Sequence, residues 1–343
     1  MSADLPDDDA DLDGLVHSAD LDGLVRMIDD RTSSRDWDGL LRLRNRSRAA
    51  VETGRQLWPA ATLAEYRLAL LAPAPFVAAV LDESDGASGR FTIGPLTEVA
   101  AHHHDWAELA PHLDRGPRAT FVAHERSIRG EAINAADAAE LPPVLDLPVE
   151  LRKWEPTYLT ATYTDAGAEF PAPDFLDSTD ELRPVDVTHG GSEATHDSDV
   201  GDAIEQLVEP WTNASNGQVD VVEVADGRAA DAIGALGAPA ARLQPLPTVD
   251  ALQWLGWAGA SGGAHGRRRG AAAGRFGVWW VLAALGDLAD EFPPADDEIR
   301  DLLDDLRWFR WDAGEPNTGW TLQLAIEDTR DSVAWAIVAR DAV

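Results

Sequence analysis

The apolar residues of this chain change their spacing along its length, and this change most constrains the fold. Over roughly the first 140 residues they recur every three or four positions, as in LDGLVRMIDD and DWDGLLRLRNRSRAAVETGRQLW. That spacing predicts amphipathic helices, which prolines and glycines keep short. The end of the chain instead alternates in RWFRWDAG, GWTLQLAIED and SVAWAIVARD, joined by EPNTG and TRD. We therefore predict an α+β fold with an all-helical N-terminal half and a C-terminal three-stranded antiparallel meander.

The composition between these parts predicts the domain boundaries. We expect an acidic tail over residues 1–8, a helical domain over 9–150, a strand and polar linker over 151–200, and an α+β domain over 201–343. TYLTATYT has the β-branched and aromatic residues of a strand, as do VDVVEVADG and ARLQPLP. Helices are expected over RAADAIGALG, VDALQWLGWAGA, FGVWWVLAALGDLA and ADDEIRDLLDDL.

The charge of the chain indicates the solvent in which it folds. The formal net charge is −33, and Lys153 is the single lysine among 28 basic residues. Such a composition is typical of halophiles that accumulate salt, haloarchaea in particular, because carboxylates hold water while molar salt screens their repulsion to within about 3 Å. It argues against nucleic acid as a partner, since that requires an extended cationic surface.

Further absences limit the location and the chemistry. Without cysteine the chain has no disulfides, thiolate metal sites or cysteine nucleophile. Its N-terminus, MSADLPDDDADLDG, lacks the basic and apolar regions of a signal peptide. The longest apolar run, GVWWVLAALG, is about half of the roughly 20 residues of a membrane span. We expect a cytoplasmic protein without membrane contact.

One segment reverses the local sign of charge. GASGGAHGRRRGAAAGRFGVWW, starting at Gly259, carries four arginines, and residues 251–286 contain no Asp or Glu. The chain average of 61 acids in 343 residues would place about six in such a stretch. A glycine loop that leads into a helix directs backbone amides at an anion. The sequence thus predicts a phosphate or carboxylate site, with these candidate ligands: Arg267, Arg268, Arg269, Arg275, Gly263 and Gly266.

Two interpretations of this segment remain open. Gly266, Gly270 and Gly274 would share one face if the whole segment were helical. Arg268 and Arg275 are seven residues apart and would lie on one helical side, within reach of the same phosphate or carboxylate. Alternatively, the residues from Gly262 to Gly266 form a loop before a helix. In either case the arginines could instead form internal ion pairs with acids such as Asp287, Asp290 and Asp301.

The remaining candidates are isolated. His265 could act as a general acid or base beside the arginines, whereas Ser261 is typical of a cap or turn residue. Of the three consecutive histidines, only His104 has a metal-ligand spacing, to Glu108. DADLDGLVHSAD matches the spacing of a calcium loop, and its ligands would be Asp9, Asp11, Asp13 and Asp20. Asp312 and Glu315 could form a carboxylate pair at a hairpin tip, where acids are normally solvated.

The tryptophans of the final meander alternate with arginine. Trp308 and Arg310 fall on one face, an arrangement with which single-strand binders stack bases. Packing in the core is the alternative, and we favour it for Trp320 and Trp335.

Several longer segments resemble a known family. They are EYRLALLAPAPFVAAVL, LTEVAAHHHDWAELAPHL, VAHERSIRGE and the arginine-glycine segment itself. Together they resemble an uncharacterised family of haloarchaea and actinobacteria that has no assigned activity. The resemblance implies that the arginine-glycine segment belongs to the fold, and it transfers no catalytic role.

These observations lead to two hypotheses of function. In the first, the protein is a non-enzymatic binding or scaffolding unit that holds an anionic small molecule or protein partner. In the second, it is an enzyme that acts on a phosphorylated or carboxylated metabolite, with His265 as acid or base. A cleft holding His265 beside unpaired arginines favours the enzyme, and arginines paired to acids favour the scaffold.

Overall fold

The computed structural model describes residues 6–83, 94–177, 181–187, 194–314 and 318–342. The chain divides into two compact units. Unit 1 comprises Met1–Val144 with Ala161–Glu169, and unit 2 comprises Leu145–Thr160 with Phe170–Val343. The stretch expected as a linker over 151–200 is therefore shared between the two units, and residues 145–150 belong to the second.

Unit 1 is helical, as its apolar spacing predicts, and carries one short hairpin. Asp20 and Asp36 cap two of its helices by accepting hydrogen bonds from the amides of Gly23 and Gly39. Its elements are α1 (Pro6–Ser18), α2 (Leu21–Ser34), α3 (Trp37–Glu52), α4 (Trp58–Leu71), α5 (Ala74–Glu83), α6 (Leu96–His103), α7 (Trp106–Leu109), α8 (Pro117–Ile128), α9 (Ala135–Ala139), β1 (Thr162–Thr164) and β2 (Gly167–Glu169).

The hairpin of unit 1 is shorter than the strand expected from TYLTATYT. Only its last three residues form β1, which pairs with β2 in antiparallel register. The Tyr66 hydroxyl of α4 donates to the carbonyl of Thr164 at 2.6 Å, and the Tyr163 hydroxyl donates to the buried Glu98 carboxylate at 2.7 Å. These bonds hold the hairpin within unit 1.

Unit 2 contains the sheet. Its elements are β3 (Arg183–Val185), β4 (Ala194–Thr195), α10 (Asp199–Leu207), α11 (Glu209–Asn213), β5 (Gln218–Ala225), α12 (Ala229–Ala235), β6 (Ala241–Leu246), α13 (Thr248–Ala260), α14 (Ala271–Leu285), α15 (Asp296–Asp305), β7 (Leu306–Asp312), β8 (Trp320–Asp328) and β9 (Val333–Asp341). Seven strands pair antiparallel in the order β3-β6-β7-β8-β9-β5-β4. The predicted meander of β7, β8 and β9 is confirmed, and the fold is α+β.

The central strands of the sheet are buried on both faces. Val222, Val224, Ala334 and Ala336 pack with helix α12. Because side chains alternate along a strand, Leu324 and Ile337 point to the other face. Helix α13 contacts β7 and β8, and its Trp254 donates an indole hydrogen bond to the Thr321 carbonyl at 3.0 Å.

Helices α13 and α14 approach each other closely at glycine. A Cβ atom on Gly274 would lie 2.2 Å from the Gly256 carbonyl oxygen, so no side chain fits at this crossing. The close pairing fixes both ends of the loop that joins the two helices, residues 261–270. None of the helices in the described ranges is long and apolar enough to cross a membrane.

We predict that Trp254→Ala lowers the free energy of unfolding by about 3–5 kcal/mol, because it empties a core site and leaves the Thr321 carbonyl without its donor. Denaturant unfolding measures this. Val249 on the same helix is 50% exposed, so Val249→Ala should change stability by less than about 0.5 kcal/mol. Equal losses for the two variants would contradict this packing.

Candidate functional site: an arginine beside an apolar pocket

Residues 261–270 form a loop, which decides between the two predicted arrangements. Helix α14 begins at Ala271, and Gly270 before it has a φ of 94°. The loop folds back on itself, because the Arg269 amide donates to the Ala260 carbonyl at 2.8 Å. The alternative of a loop leading into a helix is therefore confirmed. The expectation that Arg268 and Arg275 share a helical face is wrong, since Arg268 precedes the helix.

A carboxylate from the end of β9 already lies against this loop. The Ala264 amide donates to Asp341 Oδ2 at 2.6 Å, and the Ser215 hydroxyl donates to Oδ1 at 3.0 Å. Gly263 has a φ of 69°, and a Cβ there would lie 2.1 Å from the same Oδ2. Asp341 is 1% exposed. The glycine loop thus binds an anion, but the anion belongs to the same chain.

Arg275 forms a buried ion pair. Its side chain and that of Glu155 are both fully buried, and they bond in a bidentate manner with two N–O distances of 2.7 Å. The guanidinium also donates to the carbonyls of Pro148 at 2.8 Å and Glu150 at 3.2 Å. This is the internal ion pairing that the sequence left open, but with Glu155 in place of the suggested aspartates.

The Tyr158 hydroxyl completes this cluster by donating to Glu155 Oε2 at 2.8 Å. Burial raises the pKa of Tyr158 well above its usual value, and the Glu155 carboxylate raises it further. With both its charge and its donors engaged within the protein, Arg275 is not placed to bind a ligand.

The three loop arginines differ in their surroundings. Arg267 is exposed, and the Arg268 guanidinium lies 5.2 Å from the centre of the Phe170 ring. Arg269 is 26% exposed and donates to the Gly259 carbonyl at 3.1 Å. Glu209, itself 55% exposed, lies 3.8 Å from its Nη1. Burial lowers the pKa of Arg269, and Glu209 opposes that shift.

Arg269 borders an apolar pocket of about 220 Å³. The pocket lies between α10 and α14, which present residues spaced by three and four positions along one face of each helix. The Phe276 and Trp280 rings stack with a centroid distance of 6.3 Å. The described lining residues are Leu145, Ala203, Gln206, Leu207, Arg269, Ala273, Phe276, Gly277 and Trp280.

This arrangement joins one cation to an apolar recess, as small-molecule sites commonly do. The sequence predicted Arg269 but not the pocket. The spacing of Ala273, Phe276, Gly277 and Trp280 carried a signal for a common face, although such a stripe is equally typical of core packing. Residues of α10 could not be assigned to the site before the tertiary structure placed them opposite.

The other candidates lie apart from this pocket or have structural roles. His265 is exposed, its amide donates to the Ser215 hydroxyl at 3.2 Å, and it does not line the pocket. Ser261 accepts from the Gly263 amide at 3.0 Å and is a turn residue. Asp312 is paired with Arg242 through two 2.7 Å bonds. Glu315, its suggested partner, lies outside the described residues.

The calcium loop expected from Asp9 to Asp20 is not formed. Residues Pro6–Ser18 are helical, so residues 6–8 of the predicted acidic tail belong to this helix, and Asp11 and Asp13 lie within it. A calcium loop wraps its oxygens around the ion, which a continuous helix does not allow. Asp20 caps α2 instead. In the ranges that the structure describes, no group of three or more His, Asp or Glu side chains is arranged to hold a metal ion.

A larger groove of about 620 Å³ offers less for recognition. Its charged lining residues, Glu205, Asp220 and Arg340, are all exposed, so water and salt weaken their attraction for a ligand. Trp308 and Arg310, considered above as a base-stacking face, are 2% and 4% exposed. They are buried in the sheet and present no surface for bases.

We predict that Arg275→Met destabilises the protein by about 3–5 kcal/mol, because Glu155 then remains buried without a partner. The double variant Arg275→Met with Glu155→Gln should recover a large part of the loss, since neither charge remains. Denaturant unfolding of both variants measures this. Arg300→Met, at a side chain that is 58% exposed, is the control and should be close to neutral.

We also predict that Asp341→Asn loosens the loop. Removing the charge weakens the bond from the Ala264 amide, and unfolding should become easier by about 1–3 kcal/mol. Hydrogen exchange at that amide should accelerate by more than the global loss of stability explains. The control is Asp331→Asn, at a side chain that is 62% exposed. Unchanged exchange at Ala264 would show that the carboxylate does not hold the loop.

Comparison with known proteins places the chain in a family. No curated protein and no solved structure matches it. The model of a family of unknown function, DUF6183, matches residues 22–342, a stretch that includes α2 onward and nearly all of both units. The chain therefore belongs to the family of unknown function DUF6183.

Proposed function

We propose that this protein binds a small anionic molecule in the pocket beside Arg269. The observation that carries the proposal is the combination of a partly buried guanidinium with an apolar recess of about 220 Å³ between α10 and α14. Burial disfavours the charged form of Arg269, so an anion that replaces lost hydration is favoured there.

Arg269 is better suited to this role than the other predicted ligands. Arg275 forms an ion pair with Glu155, and the loop amide of Ala264 donates its hydrogen bond to Asp341. Glu209 is mostly exposed and lies 3.8 Å from Arg269, so it compensates the cation weakly. A bound anion can therefore add to the local charge balance without displacing a buried partner.

The proposal favours a binding function over the enzymatic alternative. That alternative requires His265 to act on a substrate held by the arginines. Since His265 is exposed and does not line the pocket, no described residue of the pocket offers an imidazole for acid–base chemistry.

We predict that acetate and inorganic phosphate, titrated at constant ionic strength and chloride, shift the amide NMR signal of Gly277 in a saturable way. Arg269→Gln removes the cation and should lower the affinity for both anions at least tenfold. Arg267→Gln removes an exposed arginine from the same loop and should bind as the wild type does. If neither anion shifts the signal, or if the two variants bind equally, the proposed site is wrong.

A further inference from the structure

We infer that the ligand is a small monocarboxylate with an apolar, preferably aromatic, body and not a phosphorylated metabolite. The inference rests on the proposed function and narrows it. It depends on three properties of the pocket: the number of donors, the local charge, and the shape of the walls.

The supply of donors favours a carboxylate. Phosphate sites in glycine loops commonly present several backbone amides to one anion. In this loop the amide of Ala264 bonds Asp341, that of His265 bonds Ser215, and that of Arg269 bonds the Ala260 carbonyl. Arg269 Nε donates to the Gly259 carbonyl and Nη1 to the Gln206 carbonyl at 3.4 Å, so a ligand meets only the remaining N–H groups of one guanidinium. These suit the two oxygens of a carboxylate better than the three of a phosphate.

The local charge points the same way. Of the nine described residues that line the pocket, Arg269 alone is charged. A carboxylate carries one negative charge, which a single guanidinium balances. A phosphate ester carries about −1.5 to −2, and the excess would face Glu209, whose carboxylate lies 3.8 Å from Arg269 Nη1.

The walls select the body of the ligand. Leu145 and Leu207 are 8% and 1% exposed, and the half-buried rings of Phe276 and Trp280 stand at an interplanar angle of 8°. Both rings also pack edge to face with Phe292, and aromatic rings accept a further ring in an offset-stacked or edge-to-face arrangement. An apolar cavity of about 150 Å³ holds benzene in a protein core, so about 220 Å³ accommodates a phenyl ring with a short carboxylate arm.

The test compares four probes by the amide signal of Gly277: acetate, phenylacetate, inorganic phosphate and benzyl alcohol. Phenylacetate should bind at least tenfold more tightly than acetate, because its ring leaves water for the apolar walls. Phosphate should bind no more tightly than acetate. Arg269→Gln should lower the affinity for phenylacetate at least tenfold and leave the affinity for benzyl alcohol unchanged.

A second variant tests the walls separately. Ala273→Leu fills the pocket from α14. Phenylacetate should then bind no more tightly than acetate, while acetate still binds. Ala284→Leu makes the same change at a half-buried position of that helix which does not line the pocket, and it should retain the advantage. If circular dichroism shows that Ala273→Leu is unfolded, Trp280→Leu replaces it, with the same expected loss.

The outcomes separate the two proposals. The inferred ligand class is wrong if phosphate binds more tightly than phenylacetate. It is also wrong if phenylacetate still binds more tightly than acetate in Ala273→Leu. If acetate and phosphate bind through Arg269 but phenylacetate binds no more tightly than acetate, the anion site is supported and the inferred ligand class is wrong. If no anion gives a shift that depends on Arg269, the proposed function itself fails.

Discussion

The buried pair of Arg275 and Glu155 is the interaction on which the site depends. Burying a guanidinium without a counter-charge costs too much free energy, and here both Arg275 and Glu155 are fully buried. The same arginine bonds the carbonyls of Pro148 and Glu150, so it fixes the chain that follows Leu145 against α14. Leu145 is part of the pocket wall. The pair therefore helps to shape the pocket without lining it.

The arginine-glycine segment lacks acids of its own, and acids from elsewhere in the chain supply the charge. Glu155 is fully buried, Asp341 is nearly so, and Glu209 is mostly exposed. The electrostatic attraction weakens in this order, because water screens an exposed pair more than a buried one. Arg269, which faces the exposed acid, is consequently less fully compensated than Arg275.

Much of the fold follows from local spacing. The helices of unit 1 and the meander of β7 to β9 were predictable because periods of 3.6 and 2 persist over whole elements. The edge strands β3 and β4 were not, since they have three and two residues and no periodicity of their own. The boundaries of the two units also differ from the predicted domain boundaries. TYLTATYT is divided between the units because of tertiary contacts that its local sequence does not encode.

The sequence by itself determined the α+β class and the cluster of arginines, because each follows from the types and spacing of neighbouring residues. It left open whether the segment before α14 is a loop or a helix. The tertiary structure decided which acid each arginine and each loop amide contacts. Asp341 and Glu155 are 77 and 120 positions away from their partners, and sequence spacing carries no information about such pairs. Neutralisation of charge is a matter of distances in space, so only the folded chain could distinguish Arg269 from Arg275.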